Sequence, residues 1–121
     1  MKVIVAIDSL KGSLSSFEAG KAVEEGIKKA IPTAEVVIKP VADGGEGTVM
    51  ALTSGLQGRL EKVQVTGPLG QKEEAVYGIL PDKTAVIEMA EAAGLPLVPV
   101  SKRNPMETTT YGVGELIQHA M

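Results

Sequence analysis

The chain has 121 residues, 44% of them apolar, with 12 Lys and Arg against 15 Asp and Glu for a net charge of -3. That size and balance fit one ordinary globular domain and exclude a disordered chain or a basic surface for nucleic acid or anionic lipid. The lack of cysteine removes disulfides, thiolate metal sites and cysteine nucleophiles, and no apolar run reaches membrane-spanning length, so the chain reads as cytoplasmic with no nucleic-acid or membrane partner.

Aromatic residues make up only 2%, so the core must come from Val, Ile, Leu, Ala and Met, a composition that suits α/β architecture. Val3 to Ile7 is a continuous β-branched run, as expected of a strand buried on both faces in a parallel sheet. A polar loop, Asp8 to Ser13, follows. Ser15 and Glu18 then have capping-box spacing, and Phe17, Val23, Ile27 and Ala30 can form the apolar stripe of a helix that Pro32 stops. Glu35 to Val41 supplies a second apolar strand, and a helix is predicted from about Gly47 to Leu56. The first 57 residues thus read β-α-β-α.

From Gly58 the character changes. Arg59–Thr66, Gln71–Leu80 and Thr84–Ala90 are strand-like, and the short turns Gly67-Pro68-Leu69-Gly70 and Pro81-Asp82-Lys83 favour antiparallel neighbours. Glu91 to Leu95 can make one helical turn, a proline-marked loop carries Pro96, Pro99 and Pro105, and a last helix from Gly112 would place Val113, Leu116, Ile117 and Ala120 on one face. Two parallel strands with apolar faces need neighbours that this length does not supply, so the chain reads as part of a longer protein. A small complete domain, or one that covers those surfaces by forming a homo-oligomer, is the second reading.

The densest chemical signal is Val41-Ala42-Asp43-Gly44-Gly45-Glu46-Gly47. Glycines let a backbone turn at positive φ and approach a ligand, and the free N–H groups of a helix's first turn attract anionic oxygens. Asp43 and Glu46 would repel a bare phosphate, which points to a bridging cation or a proton acceptor. The plain alternative is a tight turn in which Asp43 or Glu46 caps the helix. Lys11-Gly12-Ser13 is not a Walker motif, since the order differs and no upstream Gly-x-x-x-x-Gly exists. Glu88, among Val86, Ile87 and Met89, either emerges on the wet face of a strand or points into a cleft. His119 reads as helix surface.

Separated stretches together resemble the N-terminal part of the bacterial type-1 glycerate kinase family. They are Ala6-Ile7-Asp8-Ser9-Leu10-Lys11-Gly12-Ser13-Leu14, Pro40 to Thr48 across the acid-glycine loop, Val65-Thr66-Gly67-Pro68-Leu69-Gly70, and Ala85-Val86-Ile87-Glu88-Met89-Ala90. Ala93-Gly94-Leu95-Pro96-Leu97, Arg103-Asn104-Pro105 and Thr108-Thr109-Thr110-Tyr111-Gly112 complete the set, and Leu10 stands where the family usually has Phe. The resemblance implies ATP-dependent, magnesium-assisted phosphorylation of D-glycerate, to 2-phosphoglycerate in type-1 members. It implies a Rossmann-like domain begun by residues 1–57 and an inserted second, strand-rich α/β domain begun by 58–121, this chain being an N-terminal fragment. The competing reading is a non-catalytic α/β module that captures an anion or a partner.

On the family reading, Asp43 accepts the glycerate hydroxyl proton or holds magnesium, Asp8 orients substrate or a metal-bound water, and Lys11 contacts a phosphate. Gly44, Gly45, Glu46 and Ser13 would line the substrate, and Arg103 beside Asn104 would clamp the glycerate carboxylate with two parallel bonds. Thr108, Thr109 and Tyr111 offer hydroxyls for substrate or for capping the last helix.

Overall fold

The computed structural model describes all residues, 1–121. Strand β1 (Lys2–Ile7) leads through a bridged loop to helix α1 (Ser16–Ala30), then to β2 (Glu35–Pro40) and helix α2 (Thr48–Gly55). β1 and β2 pair in parallel, Lys2 opposite Glu35 through Ile7 opposite Pro40. α1 begins as its sequence demands. The Ser15 side chain accepts from the Glu18 N–H at 3.2 Å, while Glu18 accepts from the Ser15 N–H at 2.8 Å, the reciprocal pair that satisfies two orphan donors.

The face that α1 buries differs from the expected stripe. Ala19 and Gly20 are its buried residues, whereas Phe17 is 54% exposed and Val23 40%. Close approach explains the exchange, because a Cβ added at Gly20 would meet Ile38 Cγ2 of β2 at 2.6 Å. Small residues let helix and sheet touch along one side and turn the larger ones away. The expectation that β1 is buried on both faces also fails. Val5 is 7% exposed but Ile4 is 64% exposed, because α1 covers one side of a sheet that has two strands.

The second half is antiparallel. β3 (Arg59–Thr66), β4 (Lys72–Ile79) and β5 (Ala85–Val86) lie in the order β3-β4-β5, with Arg59 opposite Ile79 and Thr66 opposite Lys72. Gly70 takes the left-handed conformation that its missing Cβ allows, at φ 83°, whereas Lys83 adopts φ 69° against the usual preference of a residue with a side chain. β5 ends well short of the strand expected over Thr84–Ala90, because the chain turns at Glu88 into α3 (Met89–Ala93), two residues ahead of the expected helical turn. Two short 3-10 turns, Leu95–Leu97 and Val100–Lys102, occupy the proline-marked loop before α4 (Tyr111–Ala120).

Val65, Ala75, Tyr77, Ala92 and Leu116 form the connected core, with Val113 and Ala120 packed against it. Ile117, expected on the same face of α4, is 49% exposed. Gly112 is required at the start of α4, since a Cβ there would run into the Thr66 carbonyl oxygen. α2 packs against β4 as well as β2, and its Thr53 is 2% exposed, set where a Cβ at Gly78 would collide with it. No helix is long and apolar enough to cross a membrane.

Candidate active site

Parallel pairing puts the C-terminal ends of β1 and β2 side by side, and α/β sheets bind ligands outside those ends. The alignment continues past the strands, where the Val41 N–H donates to the Ile7 carbonyl at 3.4 Å. Asp8 leaves the end of β1 and Asp43 lies just beyond β2. Between β1 and α1 the chain folds back on itself, Leu10 bridging Leu14, with the Ser13 N–H on the Leu10 carbonyl at 2.8 Å and Gly12 at φ 77°. That turn aims Lys11 across to the second loop, where its Nζ lies 3.4 Å from Asp43 Oδ2. The two side chains are 70% and 58% exposed, so the pair adds little stability and stays open to an arriving ligand.

Asp43 is held from two sides. The Gly45 N–H donates to its Oδ1 at 3.0 Å. This bond, followed by the charge of Lys11, holds its carboxyl below the usual carboxylate range, so it is ionised throughout the neutral range. Gly44 at φ 98° and Gly47 at φ 90° make the loop's two left-handed turns, which a side chain would strain. Asp8 Oδ1 accepts from the Ser9 N–H at 2.6 Å. Ser13 and Glu46 are exposed beside these groups in the chain, and Gly45 is half-buried.

The helix N-terminus behind this loop is not the free anion site the glycines suggest. Neither Asp43 nor Glu46 caps it, and Gly47 at the cap position contributes no side chain. Glu88, 4% exposed, arrives from the β5–α3 junction instead. Its Oε1 accepts from the Gly47 N–H and its Oε2 from the Val49 N–H, both at 3.1 Å. A carboxylate thus fills the place a phosphate would take. Nearby, Glu91 accepts from the Val76 N–H at 3.0 Å. Burial first, then repulsion from Glu88 and Glu46, push its carboxyl above the usual range, against that hydrogen bond.

Arg103 and Asn104 do not join the Lys11–Asp43 pair. They line a cavity of about 320 Å³ with Pro68, Leu95, Val98 and Thr109. Arg103 Nε donates to the Val98 carbonyl at 3.2 Å and Nη2 to the Leu95 carbonyl at 3.4 Å, which anchors one edge of the guanidinium. Asn104 Oδ1 accepts from the Met106 N–H at 3.1 Å. Thr109, rather than the formal cap Thr110, accepts the first free N–H of α4, that of Tyr111, at 3.1 Å. No group of three or more His, Cys, Asp and Glu side chains is placed to hold a metal ion.

The chain matches the model of the Glycerate kinase family over residues 3–121. It belongs to that family. It is 55% identical to the glycerate kinase of Bacillus subtilis strain 168, over 100% of this chain and 32% of that protein. With the glycerate 2-kinase of Escherichia coli K12 it shares 52% identity over the same fractions, 100% and 32%. The crystal structure of a Salmonella typhimurium LT2 protein assigned as glycerate kinase 2 superposes with a TM-score of 0.74 at 49% identity, over 99% of this chain and 32% of that one. The chain therefore spans about a third of the length of the relatives it matches. Within this family member, the residue that sequence reasoning left undecided is Glu88. An acid embedded in an apolar run just ahead of a small-residue helix is a signal for a buried cap, but its donors lie 41 and 39 residues away.

Proposed function

We propose that this chain is the N-terminal part of a kinase that transfers the γ-phosphoryl group of ATP to D-glycerate, giving 2-phosphoglycerate in the cytoplasm. The observation that carries the proposal is the Lys11–Asp43 pair, 3.4 Å apart at the matched ends of two parallel strands. Phosphoryl transfer needs positioning and charge neutralisation more than covalent chemistry. An exposed cation and carboxylate in contact offer both once substrates separate them.

In this reading Asp43 orients the acceptor hydroxyl and takes its proton as the bond to phosphorus forms. Its lowered pKa makes it a weak base but keeps it charged, which suits a loose transition state in which the proton moves late. Lys11 exchanges Asp43 for a phosphoryl oxygen, and Asp8 orients the substrate from the neighbouring loop. Magnesium fits as a passenger on the nucleotide phosphates, touched by one or two carboxylates such as Asp43 or Asp8, where it would neutralise charge on the transferring group. Ser13, Gly44, Gly45 and Glu46 line the acceptor. Arg103, anchored by two carbonyls, reaches the glycerate carboxylate with Asn104 beside it, which requires the cavity they line to open toward the strand ends when substrate binds. Residues 1–57 begin the Rossmann-like domain and 58–121 the inserted one. The name glycerate 2-kinase carried by the Escherichia coli relative supports the 2-hydroxyl as acceptor.

The test is to express the full reading frame that contains these residues and supply ATP, magnesium and D-glycerate. ADP release with a product whose phosphorus couples to the single C2 proton is expected. Coupling to the C3 methylene protons would overturn the regiochemistry, and no glycerate-dependent ADP release would overturn the function.

A further inference from the structure

We infer that Glu88 is a positioning residue that clamps the acid-glycine loop to the second half of the molecule and so fixes how Asp43 is presented; the inference rests on the kinase reading above. The loop's other polar bonds are local or exposed. Gly45 binds the neighbouring Asp43 carboxylate, the Thr48 hydroxyl donates to the Gly45 carbonyl at 2.7 Å, and the Lys11 contact is open to water. Glu88 supplies two side-chain bonds from a distant element, one to each side of Thr48, the Gly47 one part-buried and the Val49 one buried.

Burying a carboxylate is costly, so a side chain that caps a short helix this way needs a reason. Ser, Asp or Asn at the cap position would do the same at the surface, but only with extended backbone there. Gly47 has φ 90°, a left-handed turn that takes its own position out of that geometry. The loop's second left-handed turn and the remote acid are therefore two parts of one arrangement. The turn sends the backbone back toward the strand ends, and Glu88 satisfies the N–H groups that the turn leaves without a local acceptor.

The arrangement predicts an effect on turnover larger than on binding. In the full reading frame, Glu88→Gln keeps the volume but turns one acceptor into a donor facing an N–H group, and Glu88→Asp keeps both acceptors on a shorter stem. Glu88→Gln is expected to raise hydrogen exchange at the Gly47 and Val49 amides roughly tenfold and to lower kcat by a similar factor, while KM for D-glycerate moves less than about threefold. Glu88→Asp should recover part of both. Unchanged exchange in Glu88→Gln would overturn the clamp, and faster exchange with unchanged kcat would overturn its role in presenting Asp43. A wild-type protein that exchanges as described but does not phosphorylate glycerate would sink the functional reading, and the clamp itself would then stand or fall on the exchange rates.

Discussion

Residues 58–121 hold the connected core of Val65, Ala75, Tyr77, Ala92 and Leu116, whereas residues 1–57 hold the Lys11–Asp43 pair on a two-stranded sheet whose Ile4 is 64% exposed. The first region thus carries most of the candidate chemistry with little packing of its own. The second carries the packing and lends it across the boundary through α2, whose N-terminus Glu88 holds and whose Thr53 packs against Gly78. Loops can carry reactive groups because a rigid scaffold fixes them. Here that scaffold includes an antiparallel sheet that contributes neither of the two paired residues.

The contrast breaks most visibly if the core is damaged. Leu116 is 0% exposed, and Leu116→Ala is expected to cost about 2–5 kcal/mol, from lost transfer energy and the cavity left behind. Urea unfolding reads the loss, and a cost below about 1 kcal/mol would mean the second region does not hold the molecule together. A smaller effect belongs to the first region. Ser15→Ala removes the acceptor of the α1 capping box and should cost about 1 kcal/mol. If the regions are as unequal as described, protease nicking near α1 will rise before that of β3 or β4.

The smallest predicted effect is one of pH. Glu91 has its carboxyl raised by burial and by Glu88 and Glu46, so the folded state holds that proton more tightly than the unfolded one. The ionised group therefore costs stability above its folded pKa; the cost shrinks as pH falls through that raised value and is gone once pH is below the ordinary carboxylate range. Glu91→Gln should melt higher than the parent at neutral pH and lose that advantage on acidification. An advantage independent of pH would mean packing, not charge, is responsible. The opposite trend holds for Asp43, whose lowered pKa favours the folded state above the carboxylate range and loses that contribution in acid.

Much of this was legible locally. The capping box at Ser15, the acid-glycine junction, the hairpin β3–β4 and the bounds of α2 follow from near neighbours in the chain, and the structure has them. What escaped depends on distant ones. The α1 stripe was drawn from size, but the buried face is Ala19 and Gly20 because Ile38 comes so close. β5 stops early because Glu88 turns to reach Gly47 and Val49, a pairing no window of sequence contains. On the family reading Arg103 is a clamp for the substrate carboxylate, and only the fold reveals that its Nε serves the Val98 carbonyl.

The most direct test is the turnover of Asp43→Asn in the full reading frame, beside its melting temperature. Asn keeps an oxygen for the Gly45 N–H but cannot take a proton or pair with Lys11 as an ion. The account predicts that kcat falls by about 10²–10⁴ while the melting curve hardly moves, since the ion pair is exposed. Near-normal turnover in a normally melting protein would contradict the assignment of the chemistry to the paired strand-end loops.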